Sequence, residues 1–427
     1  MLNVCVSYDD VRIRGLWTET FRPDVCTIVP RRGILKNMSC LGIDFAALRE
    51  SRRVVDDVFG LVAGDCFYER PVPERHRIVF YVGHVEAFDL NLLRTQMDIA
   101  SFAPELDQLF AFGIDPPAGS LPLDAASDWP RLDVVAHYCQ RVRALIDACW
   151  DATPELLRHV AIEHRLMHAE TLCYMLHNFE PSRLVRPPVF ESADTYGSLP
   201  ADLCHIPAGP ARLGRSRDEG FGWDNEFDGH EVHVPAFSID RWKVTNGAYL
   251  EFVRTEGAAT PFFWTERNGS YFLRRMFDQV PLPLDWPVYV THAEASAYAA
   301  WRGGRLPTEC EWLRASETAP VVGNFDLRRF DPEPGNANPD SASCHGVEDM
   351  VGNGWEWTSS LFRPFPGFRA FPFYEGYSAP FFDDDHYVLK GASPRTHAVF
   401  TRPSFRNWFR RDYPYVFASF RCIPYNS

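Results

Sequence analysis

The sequence predicts a two-domain α+β protein, in which an N-terminal four-helix bundle precedes a domain of short strands, short helices and loops. Three observations support this fold class. The chain has 427 residues, which exceeds the usual size of a single domain. Apolar residues recur with a helical period over much of roughly the first 180 residues. Farther along, short β-like runs alternate with clusters of Gly, Pro, Asp and Asn, which is typical of a strand-rich domain with many turns.

The N-terminal part divides into an extension and a bundle. Residues 1–41 show little periodicity, and we interpret them as an extension peripheral to the fold; an ordered arm that packs on the body is the alternative. Residues 42–186 form the predicted bundle, with residues 103–130 as one long loop rich in Pro, Gly, Asp and Ser. The apolar patterns place four helices at Asp44 to Leu61, Arg77 to Leu93, Leu132 to Trp150 and Pro154 to Asn178. Metal sites in such bundles are built from side chains on facing helices.

A linker and a second domain complete the predicted organisation. Prolines mark residues 187–199 as the linker, and the second domain covers residues 200–427. Its predicted strand runs begin at Leu203, His233 and Tyr387. Two helical patches interrupt the strands: His292 to Trp301 and Thr308 to Ala315.

Composition restricts the class of partner and the compartment. The formal net charge of −14 argues against nucleic acid, which needs a basic surface. No apolar run of about 18 residues is present, so we predict no membrane span. The eleven cysteines are scattered without a CxxC pair, and the N-terminus lacks the pattern of a secretory signal. We therefore expect a cytoplasmic protein with reduced thiols that acts on small molecules.

The strongest chemical signal is a pair of histidines on the fourth predicted helix. His164 and His168 are four residues apart, so on a helix they lie one turn apart on one face, which suits two ligands of one metal ion. An ordinary amphipathic helix that carries two histidines on its polar face is the alternative. His84, on the second predicted helix, is the candidate third ligand. Glu170 is expected to accept a hydrogen bond from the other ring nitrogen of a ligand histidine.

Longer motifs extend this pattern to a known family. Five segments of the second domain resemble the formylglycine-generating-enzyme-like (sulfatase-modifying-factor) domain, which has a C-type-lectin-like fold. These segments are Phe237–Asn246, Gly304–Trp312, Gly352–Thr358, Val388–Ser393 and Arg402–Trp408. The bundle, with its Gly-His segment and its HxxxHxE segment, resembles the DinB-type domain. Together, over roughly residues 42–425, they are similar to the non-haem iron sulfoxide synthases of ergothioneine biosynthesis (EgtB-like).

The resemblance implies an iron enzyme. In the family, the histidine of the Gly-His segment and both histidines of HxxxHxE ligate Fe(II), and these positions are His84, His164 and His168 here. Neutral imidazoles suit Fe(II), and three ligands on one side of the ion leave positions open for substrates. The implied reaction is O2-dependent C–S bond formation between a thiol donor and the imidazole C2 of hercynine (trimethylhistidine), which gives a sulfoxide. The expected cofactor is therefore Fe(II), and the expected substrates are hercynine, a donor and O2.

The resemblance also implies a substrate site in the Arg-Asn-Trp segment. The family binds the trimethylammonium group near an Asn-Trp pair, here Asn407 and Trp408, and an indole face attracts such a cation. Packing in the aromatic core is the alternative for Trp408. Phe409 is expected to add to the pocket wall. Arg406 and Arg410 are candidates to bind a carboxylate by a bidentate fork, with a structural ion pair as the alternative for Arg406.

Two departures from the family pattern concern substrate recognition. Met167, between the two iron histidines, stands where relatives often carry a polar residue, so one hydrogen bond in histidine recognition is missing. Phe409 stands where members that use γ-glutamylcysteine carry an acidic residue, so a contact to the ammonium group of that donor is also missing. The donor stays open between cysteine, another thiol, and a selenosugar as in the selenoneine synthase branch. The loop that begins at Phe110 is a natural place for donor specificity.

Catalysis in the family uses a tyrosine near the iron as a proton donor, and the candidates here are Tyr374 and Tyr377, each with packing as the alternative role. Three other functions stand beside the sulfoxide synthase. One is a selenoneine synthase that joins a selenosugar to hercynine, and another is a histidine–thiol sulfoxide synthase of the ovothiol type. The last is a non-catalytic ligand-binding module.

Overall fold

A computed structural model describes residues 43–111, 121–187, 197 and 199–425. The chain divides into two compact units, Met1–Phe190 and Glu191–Ser427, which are described separately. The predicted N-terminal extension and most of the predicted linker lie outside the described residues, so the finer domain boundaries stay predictions.

The first unit is helical where it is described. Its α-helices are α1 Phe45–Phe59, α2 Ile78–Arg94, α3 Pro104–Leu109, α4 Leu132–Cys149 and α5 Glu155–Leu176. Four of them confirm the predicted helices to within a few residues. The short helix α3 corrects the prediction of one long loop: Pro104 occupies the first helical position, and Glu105 and Asp107 lie in the first turn, where carboxylates are favourable.

Helix α2 lies in the core of this unit. It contacts α4, α5 and α3, and nearly every residue from Ile78 to Leu93 is buried. A helix that is apolar almost all round belongs in an interior, because it has no polar face to present to water. The polar residues on α2 are therefore exceptions that need buried partners, and they include His84.

The second unit consists of many short elements. Its helices are α6 Asn246–Glu256, α7 His292–Trp301 and α8 Glu309–Ala315. Its strands are β1 Leu203–Ile206, β2 Gly209–Leu213, β3 His230–Val234, β4 Phe237–Asp240, β5 Trp264–Arg267, β6 Ser270–Arg274, β7 Gln279–Pro281, β8 Gly304–Arg305, β9 Gly354–Leu361, β10 His386–Ala392, β11 Asn407–Arg410, β12 Ala418–Ser419 and β13 Ile423–Pro424. The mixture confirms the predicted α+β class.

The largest sheet in the second unit positions the Asn-Trp pair. Its strand order is β11-β10-β9-β12, with β12 parallel to β9 and the other pairs antiparallel. Strand β11 is therefore an edge strand, and in its register Trp408 lies opposite Val388 while Asn407 lies opposite Leu389. An edge strand has one neighbour only, and the four residues of β11 are half-buried.

Both predicted helical patches of the second unit are confirmed. Helices α7 and α8 each begin with a capping box, in which a threonine hydroxyl and a glutamate three residues later satisfy backbone N–H groups reciprocally. The predicted run from His233 is wrong in one respect: it splits into β3 and β4, because Pro235 has no N–H to donate to a ladder. Helix α6 was not predicted, since its first residues, Asn246 and Gly247, are a turn signal.

No helix in the described part of the chain is long and apolar enough to cross a bilayer.

Candidate metal centre and aromatic site

Three imidazoles converge inside the first unit. His84 comes from α2, and His164 and His168 come from successive turns of α5. One nitrogen of each ring lies within 4.8 Å of a nitrogen of each of the others. The Nε2 atoms of His164 and His168 are 3.2 Å apart. The structure therefore brings together the three histidines that the sequence nominates as ligands.

The environment keeps these imidazoles neutral. His84 and His164 are each only 3% exposed, and His168 is half-buried. Burial lowers the pKa of His84 to about 4. Burial, and then the neighbouring imidazoles, also lower the pKa values of His164 and His168. A neutral imidazole is the form that binds a metal ion, so the site is in the correct protonation state at neutral pH.

The His84 ring is oriented by a backbone carbonyl. Its Nδ1 donates a hydrogen bond to the carbonyl oxygen of Phe110 at 2.8 Å, which leaves Nε2 with a free lone pair. The ring also stacks on Phe80, with centroids 4.8 Å apart, and Phe88 stacks on His164 at 3.4 Å. Sequence reasoning missed the Phe110 carbonyl, because a backbone acceptor carries no side-chain signal.

A close packing contact explains the glycine before His84. A Cβ atom added to Gly83 would lie 2.5 Å from the ring of Phe110, which is far too close. Gly83 thus lets Phe110 approach α2 closely enough for its carbonyl to reach His84. The Gly-His dipeptide is one structural device, with the glycine making room and the histidine using it.

The three donors fit a divalent ion that binds nitrogen. Two nitrogens bound to one ion at roughly 2.1 Å and at right angles lie about 3 Å apart. The observed separation between His164 and His168 is close to that value. Among the residues that the structure describes, the cluster contains three histidines and no carboxylate or thiol, and imidazole suits Fe, Zn, Cu and Ni. Three ligands from two helices can leave coordination positions for water or substrate.

The predicted partnership of Glu170 with a ligand histidine is corrected. Nδ1 of His168 has no hydrogen-bond partner among the described residues, so it does not donate to Glu170. Glu170 follows His168 by two positions, which is a rotation of roughly 200° around the helix. The two side chains therefore leave α5 on nearly opposite sides.

Trp408 lies among other aromatic rings in the second unit. Its indole, half-buried on β11, stacks on Phe362 with centroids 4.3 Å apart and planes at 6°. Tyr377 meets it edge-on at 5.3 Å, and Phe381 lies 5.6 Å away. The Oδ1 atom of Asn407 accepts a hydrogen bond from the backbone N–H of Trp408 at 2.9 Å, which fixes the amide beside the indole.

The two candidate tyrosines differ in their surroundings. Tyr377 is 6% exposed and stacks on Trp223 at 4.0 Å while it contacts Trp408. Tyr374 lies one ring farther away, 5.6 Å from Tyr377. Burial, and then the nearby Asp224, raise the pKa of Tyr374 well above its ordinary value, so it keeps its proton. The contact with Trp408 favours Tyr377, and a catalytic role stays a prediction for both.

The remaining predicted substrate residues fall into different environments. Phe409 stacks on Tyr413 at 5.1 Å, and neighbouring side chains leave a strand on opposite faces. Its place in the pocket wall stays a prediction. Arg410 is partly exposed and lies 3.9 Å from Asp385, and Met167 is half-buried on α5. Their substrate roles stay predictions.

Arg406 is a structural residue. Its side chain is 3% exposed, and its Nε donates to Glu309 at 2.9 Å. Its Nη1 donates to the carbonyl oxygen of Arg363 at 3.0 Å. The ion-pair alternative is therefore the one that the structure shows, and the substrate role predicted for Arg406 is withdrawn.

Comparisons with known proteins place the chain in a family. Residues 190–425 match the model of the sulfatase-modifying factor enzyme 1-like domain. The hercynine oxygenase of Mycolicibacterium smegmatis is 35% identical over 359 residues, which cover 73% of this chain and 81% of that protein. The hercynine oxygenase of Mycolicibacterium thermoresistibile is 33% identical, with coverage of 74% and 80%. Ergothioneine biosynthesis protein 1 of Neurospora crassa is 27% identical, and the match covers 83% of this chain and 54% of the fungal protein.

Fold, site and relatives together define the class of protein: an oxygen-dependent oxidoreductase that joins a helical unit to a sulfatase-modifying-factor-type domain. Within that class, the chain belongs to the hercynine oxygenase family. This membership confirms the resemblance inferred from the motifs.

Proposed function

We propose that this chain is an Fe(II)- and O2-dependent enzyme of ergothioneine biosynthesis that forms a bond between sulfur and the imidazole C2 of hercynine. The observation that carries this proposal is the convergence of three neutral imidazoles from α2 and α5, two of them buried and one half-buried. The names of the relatives, hercynine oxygenase and ergothioneine biosynthesis protein 1, support the substrate and the pathway.

The proposed reaction balances with one molecule of O2. The C2–H bond of hercynine and the S–H bond of the donor are lost. A C–S bond and an S=O bond form, and the second oxygen atom leaves as water. Fe(II) held by the three histidines would supply the activation of O2, and the binding of both substrates at one site would replace a random encounter by proximity.

His84, His164 and His168 are the proposed ligands. The carbonyl oxygen of Phe110 orients His84 so that Nε2 presents its lone pair. Phe80 and Phe88 cover two of the rings and exclude water from that side of the cluster. A dry, preorganised ligand set is what a metal with open positions requires.

Asn407 and Trp408 are the proposed binding residues for the trimethylammonium group. A quaternary ammonium cannot donate hydrogen bonds, so an aromatic face is its natural partner. Phe362 covers one face of the indole, and this stacking holds the ring in place. Tyr377 contacts the edge of the same ring and is the leading candidate for the residue that holds a proton during the reaction, with Tyr374 as the second.

The identity of the sulfur or selenium donor distinguishes two versions of this function. Phe409 stands directly after the Asn-Trp pair, so the carboxylate that would pair there with the ammonium group of γ-glutamylcysteine is missing at that position, and the first one in the chain after the pair is that of Asp412. Cysteine or another thiol gives a sulfoxide synthase, which is the leading version. A selenosugar has no ammonium group, so the same observation favours a selenoneine synthase as the second version.

Aerobic turnover by the Fe(II)-loaded protein tests the proposal. Hercynine is offered in parallel with cysteine, γ-glutamylcysteine and a selenosugar, and the products are identified by mass spectrometry. A sulfoxide adduct supports the leading version and identifies the donor, whereas a selenium adduct alone supports the second version. Absence of an adduct with every donor, in a protein that retains its iron, would contradict the proposal. Histidine in place of hercynine tests the ovothiol-type alternative.

A further inference from the structure

The candidate metal centre of three histidines depends on the alignment of two helices that are far apart in the sequence. His84 lies on α2, whereas His164 and His168 lie on α5. A rotation or slide of one helix along the other would move His84 away from the pair. Sites of this kind function only when their ligands are held within about 0.5 Å of the productive geometry. Something in the interface between α2 and α5 must therefore fix their register.

Arg165 links helix α5 to helix α2 beside the ligand histidines. It directly follows His164, and its guanidinium crosses to α2. Its two terminal nitrogens donate to both carboxylate oxygens of Glu86, at 2.8 Å and 2.9 Å. The nitrogen Nη2 also donates to the carbonyl oxygen of Val85 at 3.0 Å and to the carboxylate of Asp89. Val85 and Glu86 directly follow His84, so the bonded turns are the turns that carry the ligands.

The charged side chains of Arg165, Glu86 and Asp89 are almost completely buried, and a gain in stability alone does not explain such an arrangement. The side chains of Arg165 and Asp89 are 0% exposed, and that of Glu86 is 1% exposed. Removing charges from water costs much of what their attraction returns, and apolar replacements are often equally stable. The best-attested use of such buried polar groups is to select one register among several packings that are otherwise similar.

The connection continues to the rest of the unit. Arg143 on α4 donates a hydrogen bond to Glu86 at 2.8 Å. It also donates two hydrogen bonds, of 2.7 Å and 2.8 Å, to the carboxylate of Asp56 on α1. Glu86 therefore receives one arginine from α5 and one from α4. Because a bidentate fork has fixed angles, it resists rotation as well as separation.

We propose that Arg165 and Glu86 are positioning residues for the three-histidine centre, which lock the register of α2 and α5 so that His84 meets His164 and His168. This inference rests on the proposed metal-binding function. It predicts that a change at Arg165 alters the geometry and affinity of the bound ion, although neither Arg165 nor Glu86 is a ligand.

The test uses Co²⁺ as a spectroscopic probe and Fe²⁺ under anaerobic conditions, both added to the full chain. Three variants are compared with the unmodified protein: Arg165→Met, Arg165→Lys and the matched control Arg421→Met. Arg421 is likewise a buried arginine, 0% exposed, and its Nε donates to Glu356 at 2.9 Å, but it belongs to the second unit. Circular dichroism checks that each variant is folded.

We expect Arg165→Met to bind both ions 10- to 100-fold more weakly, as is typical when a partner outside the ligand set is lost, and to shift the visible bands of bound Co²⁺. Arg165→Lys keeps the charge without the fork and should recover part of the affinity. Arg421→Met should retain the spectrum and the affinity of the unmodified protein. An unchanged Co²⁺ spectrum and affinity in folded Arg165→Met would overturn the inference, as would an equal loss in Arg421→Met.

A second variant covers the case in which Arg165→Met does not fold. Glu86→Gln keeps the shape of the side chain but removes its charge and one acceptor. A shifted Co²⁺ spectrum with weaker binding in Glu86→Gln supports the inference, and an unchanged spectrum contradicts it. If the unmodified chain binds neither ion, the proposed function fails and this inference fails with it. Normal binding by the unmodified chain and by every variant rejects only the positioning role.

Discussion

The two units place their chemistry in different ways. In the first unit, polar groups lie inside: His84 and His164 are buried on core helices, and Arg165 and Glu86 are buried beside them. In the second unit, the candidate binding group is the half-buried aromatic Trp408 on an edge strand, surrounded by rings from other segments. A metal needs several donors fixed at short distances, whereas a bulky cation needs only an apolar face of the right shape. The two kinds of site should therefore respond differently to mutation.

The largest expected effect is the loss of metal binding when a ligand histidine of the first unit is removed. His164→Ala removes one of three ligands, so the affinity for iron should fall more than about 100-fold, since even loss of an outer partner costs 10- to 100-fold. Metal content by mass spectrometry and turnover check this result. His159→Ala is the control, because His159 lies on the same helix but outside the cluster, 3.9 Å from Glu155. Full iron content in His164→Ala would contradict the metal assignment.

The next effect is a loss of folding stability at acidic pH, which we expect from His292 in the second unit. Burial lowers the pKa of His292 to about 4, and its ring stacks on Tyr387 at 3.6 Å. The unfolded chain takes up a proton near the ordinary pKa of about 6.5. The stability contributed by this neutral ring is thus present above pH 6.5 and is lost as the pH falls from 6.5 to 4, by about 3 kcal/mol.

His292→Phe keeps the aromatic stacking and removes this proton uptake. Urea unfolding at pH 7.5 and pH 4.5 should show that the variant loses less stability on acidification than the unmodified protein. Equal losses in the two proteins would show that His292 does not contribute to the acid sensitivity of the second unit.

A smaller effect tests the aromatic site. Trp408→Leu should raise the KM for hercynine about 30-fold, since a desolvated cation–π contact contributes about 2 kcal/mol. Iron content should not change, because the ligands belong to the first unit. Steady-state kinetics and metal analysis provide both readouts, with Trp301→Leu as a control from helix α7. A fall in kcat at unchanged KM would argue against ammonium binding by Trp408.

The smallest effect concerns the contact between Gly83 and Phe110. Gly83→Ala should displace the Phe110 ring, loosen the carbonyl that orients His84, and weaken metal binding about tenfold. Gly64→Ala is a matched control in the same unit, because an added Cβ there meets nothing within 4 Å. Co²⁺ titrations compare the two variants. Equal affinities would show that the carbonyl bond does not set the strength of the site.

The sequence predicted best what depends on local spacing. The four long helices and the pairing of His164 with His168 follow from a period of 3.6 residues, which adjacent residues reveal. His84 follows from the rule that bundle metal sites draw their ligands from facing helices, and its meeting with the pair depends on how two helices pack. Helix α3 was missed because six residues give too little periodicity to detect.

The errors in the candidate sites arise from direction and from long-range partners. Glu170 was assigned by its nearness in sequence, but a step of two residues turns it away from His168. Arg406 pairs with Glu309, which is about 100 residues away in the sequence, so no local pattern could identify that partner.

The hydrogen bonds between Arg165 and Glu86 also bear on the entropic cost of metal binding. An ion that joined His84 to His164 would close a chain loop of about 80 residues, and in an unfolded chain such closure costs entropy. The contacts between helices α2 and α5 close the same loop, so the entropic cost of closing it does not fall on the proposed ion alone.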